Sequence, residues 1–182
     1  MKTDITQALV VEHRLILQMI ALLEKNAART SAGTYANWQF FLDGVDFIRN
    51  YADRFHHAKE EDVLFDALVK NGMPRENSPV AAMPMEHDQG RTYVRAMEAA
   101  VFEAQKGLAG REIIIAENAL AYSELLREHI SKENDILYPL AERVIPEAMR
   151  EEIAIGYQRA ETHTPSDFSD RYRKLVESYE QE

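Results

Sequence analysis

Two stretches of the chain, HHAKEEDVLFDAL at 56–68 and HISKENDILYPLA at 129–141, carry one pattern. His56 falls on His129, Lys59 on Lys132, Glu60 on Glu133, Leu64 on Leu137 and Phe65 on Tyr138. Residues four apart share one face of a helix, about a turn from each other. The Leu one turn beyond the Glu lies on that same face, so the face points into an apolar interior and takes His and Glu with it. A buried carboxylate and a buried imidazole need partners. One pair could satisfy itself. Two matching pairs on different helices call for a shared partner, and a cation is the economical one. The fold must therefore set these two helices side by side at one height.

The rest of the sequence supplies the helices. Apolar residues recur at helical spacing over 4–29 (Ile5, Leu9, Ile16, Ile20, Leu23) and over 35–70 (Trp38, Phe41, Val45, Ile48, Phe55, Leu64, Leu68). Ala28–Thr34 reads as a loop, and Asn71-Gly72-Met73-Pro74 as a helix stop. A third helix fits 79–107, with Pro79 and Pro84 complicating its start. A fourth fits 111–144, with a kink or break expected at Pro139. No strand pattern interrupts them. The expectation is an all-α, up-down-up-down four-helix bundle over 1–145, with short helices in a C-terminal extension, 146–182, packed on or beside it.

Two further histidines stand where they can join the repeated pairs: His13 in the middle of the first helix and His87 early in the third. At about 1.5 Å per residue, Glu60, His87 and His129 reach one level within about a turn. His13 matches less well, which a looped-out connection or an offset first helix would repair. The candidate metal-ligand set is His13, His56, Glu60, His87, His129 and Glu133. Imidazole and carboxylate donors without sulfur suit iron or manganese, and zinc accepts them as well. Six ligands for two cations leave positions open to a small molecule. His57 and Glu61 have the same spacing as His56 and Glu60; the repeat favours His56, leaving His57 behind the ligands or at the surface. Glu61, Asp62, Lys59 and Lys132 read as solvated charge. Met19, Met83, Met85 and Met97 read as core filler. Tyr51, Tyr93, Tyr122 and Tyr138 read as core aromatics with hydroxyls at the rim. His163 reads as an exposed residue of the tail.

Composition removes several alternatives. With no cysteine there is no thiolate zinc site, iron–sulfur cluster, disulfide or thiol catalysis. A net charge of −10 speaks against a nucleic-acid partner. The first apolar stretch is interrupted by Asp4, Glu12, His13, Arg14 and Glu24, so it reads as an amphipathic helix of a cytoplasmic protein with no membrane partner. A metal-free bundle would have to satisfy four interior imidazoles and two interior carboxylates with one another, which is costly.

Taken together, His13, HHAKEEDVLF, MEHDQGR and HISKENDILYP, in order on four successive helices, resemble the hemerythrin-like, or HHE cation-binding, domain family over about residues 1–145. The resemblance implies a non-haem di-iron centre, two iron ions with bridging carboxylates and an oxo or hydroxo bridge. It implies a protein that binds, senses or reduces a small oxidant such as O2, NO or peroxide. The alternative it allows is a non-catalytic iron-binding or iron-responsive module, in iron storage or iron–sulfur cluster maintenance, with the acidic tail as the surface for a protein partner. Oxygen-carrying hemerythrins have His-x-x-x-His on the third helix; here the second position is Arg91, which is no ligand. That departure tells against reversible oxygen carriage.

Overall fold

The computed structural model describes residues 3–162 and 164–182, so His163 lies outside the described residues. Among these there are helices and no strand. The first helix, α1, is Gln7–Ser31. The second, α2, runs through 38–70 and changes type along its length: α over Trp38–Phe47, π over Ile48–His57 and Glu60–Leu64, and α again over Phe65–Lys70. Helix α3 is Pro79–Gln105. Helix α4 runs through 111–144, with a π segment at Glu133–Leu137. Two further helices follow, α5 at Glu147–Glu161 and α6 at Phe168–Glu180.

The ends obey local chemistry. Asn37 caps α2 by accepting the Phe40 N–H at 3.3 Å. Gly72, at φ +95, closes the far end of α2 while the Met73 N–H reaches back to the Leu68 carbonyl at 3.1 Å. The expected loop at 28–34 starts later, because α1 continues to Ser31. His13 then lies as many residues before the end of α1 as His56 lies after the start of α2, so no offset is needed. The expected break at Pro139 takes another form: the helix continues, and the turn before the proline is π rather than α.

Apolar side chains form two clusters stacked along the bundle. The larger gathers Ile16, Leu23, Phe41, Val94, Met97, Ile115 and Leu126. The smaller gathers Leu9, Leu64, Phe65, Met83, Leu137 and Tyr138. The repeated His and Glu residues lie in the chain between members of the two clusters, on all four long helices, and every one is buried. They form a polar layer in an otherwise apolar bundle. Helix α6 packs on the larger cluster through Tyr172, Val176 and Tyr179, and α5 joins the smaller through Ile153 and Tyr157. Met85, expected in the core, is 72% exposed.

Candidate metal centre

The π segments place the donors. Bonds from i to i+5 widen each turn, so side chains four and five apart share a face. That is how Phe55, His56 and His57, three consecutive residues, are all buried. An α-helix would have turned His57 away. The expectation that His57 stands behind the ligands or at the surface is therefore corrected: it faces the centre with His56.

Two groups of donors result, each with its atoms within 4.8 Å of one another: His57, Glu60, His87 and His129 in one, His13, His56, Glu60 and Glu133 in the other. All six residues expected from the sequence fall in them, and His57 is the addition. Glu60 belongs to both. Its Oε2 lies 3.8 Å from His56 Nε2 and 3.7 Å from His87 Nε2. Glu133 also spans them, with Oε1 3.1 Å from His129 Nε2 and Oε2 3.3 Å from His13 Nε2.

The back of four imidazoles is fixed by an oxygen acceptor. His56 Nδ1 meets Glu12 at 2.8 Å, His87 Nδ1 meets Glu61 at 2.6 Å, and His129 Nδ1 meets Glu86 at 2.8 Å. His13 Nδ1 meets Asn134 Oδ1 at 2.9 Å. His57 Nδ1 lies 3.4 Å from Asp53. An ionised carboxylate only accepts, so each bonded Nδ1 carries the proton and leaves a lone pair on Nε2. These lone pairs converge: His87 Nε2 and His129 Nε2 stand 3.0 Å apart. His56 Nε2, Glu60 Oε2 and both Glu133 oxygens have no hydrogen-bond partner among the described residues. Unpaired buried acceptors facing one another are costly, and a cation between them removes the cost. The donor set therefore fits metal ions on this chain's own geometry.

Cations of the protein hold the acceptors in turn. Lys59 Nζ donates to Glu12 at 2.5 Å and to Glu161 of α5 at 2.6 Å, and it is fully buried. Lys132 donates to Glu86. Arg91 clamps Asp53 at 2.6 Å and Glu61 at 3.2 Å, the carboxylates behind His57 and His87. So Lys59 is an interior member of the site rather than solvated charge, while Lys132 and Glu61 are half-buried and held by Glu86 and by His87 and Arg91; Asp62 is exposed, as expected. The sequence did carry a signal for Glu12 and Glu86: a Glu-His dipeptide at 12–13 recurs at 86–87. Tyr138, whose hydroxyl was expected at the rim, donates to Glu60 Oε1 at 2.5 Å in the interior.

The electrostatics follow from burial. It pushes His56 and His57 well below the ordinary imidazole value. Burial and the charge of Glu133 lift Glu60 well above the carboxylate range. Burial also opposes ionisation of Glu133, but His129 and His13 outweigh it and hold its pKa well down. His129 is raised, since Glu133 and Glu86 overcome its burial. The centre thus attracts positive charge between His129 and Glu133. Two adjacent interior carboxylates ionise together only with such a charge between them.

A sequence model of the hemerythrin HHE cation binding domain matches residues 4–141. No curated protein and no solved structure matches the chain.

Proposed function

The chain belongs to the hemerythrin HHE cation-binding domain family, and on that premise we propose that it binds two iron ions and uses them to bind, sense or reduce a small oxidant: O2, NO or peroxide. The observation that carries this is the convergence of imidazole Nε2 lone pairs and unpartnered carboxylate oxygens on two adjacent positions that share Glu60. Iron held there would supply the electrons and the open coordination positions. The chain's own residues do the rest. His57, His87 and His129 would hold one ion, His13 and His56 the other, and Glu60 and Glu133 would bridge. Tyr138 keeps a hydroxyl proton on Glu60 Oε1, and the two apolar clusters close the layer at its two ends along the bundle.

Anaerobic titration with Fe(II) tests the reading directly. The expected endpoint is two ions per chain, followed on admission of air by ligand-to-iron charge-transfer absorption. An endpoint below one ion per chain overturns it. A second reading, an iron-responsive interaction module without turnover, is favoured by one contact: Lys59 joins Glu12, which orients His56, to Glu161 near the end of α5. Iron that alters protease sensitivity around residue 161 without any oxidant reaction would select it.

A further inference from the structure

A cavity of about 210 Å³ opens between α2, α3 and α4 beside the three-histidine position, with His57 and His87 among its lining. Its walls are apolar at Ile48, Val94 and Leu126, and four arginines, Arg49, Arg54, Arg91 and Arg95, line it as well. Two of these guanidiniums are committed. Arg49 forms a two-pronged pair with Glu98, and Arg91 holds Asp53, Glu61 and Asp88. The other two, at the exposed mouth, donate to neutral oxygens only: Arg54 to Asn50 at 3.2 Å and Arg95 to Thr92 at 3.0 Å. The two carboxylates in the lining are taken, Asp53 by Arg91 and Glu86 by His129 and Lys132. The uncommitted charge of the cavity is therefore positive, on a chain whose net charge is −10.

A second observation lies deeper. Tyr122 lines the same cavity, and its hydroxyl is buried with no hydrogen-bond partner among the described residues. A buried hydroxyl without a partner is destabilising unless a ligand completes it. Gly90, also in the lining, packs against the Tyr122 ring, where a Cβ would lie 3.4 Å away.

We infer that this cavity binds a small anion, an inorganic oxyanion or short carboxylate, held by Arg54, Arg95 and the Tyr122 hydroxyl next to His57 and His87. The inference deepens the proposed function by naming a substrate class: neutral O2, NO or peroxide gains little from two free guanidiniums, whereas an anion gains both steering and binding. It rests on that reading only for what happens at the metals; the groups that would hold the anion, Arg54, Arg95 and Tyr122, are not ligands.

Calorimetric titration of nitrite and acetate into the iron-loaded protein tests it, with urea as the neutral control. Nitrite is expected to bind and urea not. The Arg54→Gln/Arg95→Gln double variant, altered only at exposed positions, should raise the nitrite Kd by about tenfold or more at unchanged iron content. Tyr122→Phe should raise it by roughly three- to tenfold. Equal nitrite affinity in wild type and double variant overturns the inference, as does nitrite binding that disappears with iron and ignores the arginines. Arginine-dependent nitrite binding to iron-free protein would uphold the pocket even if the iron reading failed. Two ions per chain with no anion binding would uphold iron and sink the pocket.

Discussion

The hairpin of α1 and α2 and the hairpin of α3 and α4 present the same working residues. One has Glu12-His13 facing His56, Lys59 and Glu60; the other has Glu86-His87 facing His129, Lys132 and Glu133. In each, the Glu before the first His accepts from the second His and from the Lys. The pairing even crosses over alike, since His13 bonds Asn134 and His87 bonds Glu61, the residues that follow the two repeated glutamates. The differences are then informative. Where the second hairpin has Ile130, the first has His57, so one donor group gains a third imidazole. Where the first has Phe65, the second has Tyr138, so the other position gains a hydroxyl beside His13 at 3.4 Å. Near-equal skeletons thus produce unequal positions, one richer in nitrogen and backed by carboxylates, the other poorer and backed in part by the neutral amide of Asn134.

The surroundings differ in the same sense. Lys59 is sealed under α5, where Gly156 comes so close that a Cβ would stand 2.8 Å from Val63. Val63 corresponds to Ile136 in the repeat, and Ile136 is 58% exposed. Lys132 keeps a side chain 39% exposed. Helix α5 covers this face of one hairpin and leaves the matching face of the other bare.

The comparison can be broken most severely at its shared member. Glu60→Gln removes a donor from both groups, and iron bound per chain, by elemental analysis, should fall from the proposed two to below one. Glu12→Gln and Asn134→Ala each loosen a single position instead; a fall of about 10- to 100-fold in affinity of the weaker ion is expected from Glu12→Gln, read by competition with a chelator. Stability should separate the two lysines. Lys59→Met leaves Glu12 buried without its cation and should cost about 3–5 kcal/mol in denaturant unfolding, whereas Lys132→Met should cost below about 1 kcal/mol. Equal costs would show that α5 adds nothing to the covered half. Gly156→Ala should lower stability by about 1–3 kcal/mol through the clash with Val63. Ile136→Ser, on the bare counterpart, should stay within about 0.5 kcal/mol of wild type.

The long helices, to within a few residues, and the repeated His and Glu pairs were legible because they depend on local rules: apolar spacing, Gly and Pro at the ends, and a His and Glu one turn apart; His13 and His87 depended on depth along the bundle. The extension's short helices could also be read. His57 was not legible, since the reading assumed an α turn and the turn is π. Nor were Lys59 and Glu61, because their roles depend on residues of other helices, Glu161 and His87. Lys59 in sequence is an ordinary lysine of an amphipathic helix; only the arrival of α5 makes it interior. Tyr138 was misplaced for a related reason, as its acceptor lies on α2.

The widened turns of α2 carry one consequence for length. A helix wound with five-residue rings advances less per residue than one wound with four, so the segment between Ile48 and His57 holds more chain than its span requires. Shortening the segment would let the ladder relax toward the tighter winding, and one of the two adjacent imidazoles would rotate out of the cage. The surplus residue is therefore where the fifth nitrogen comes from, and a deletion rather than a substitution is the change that would take it away.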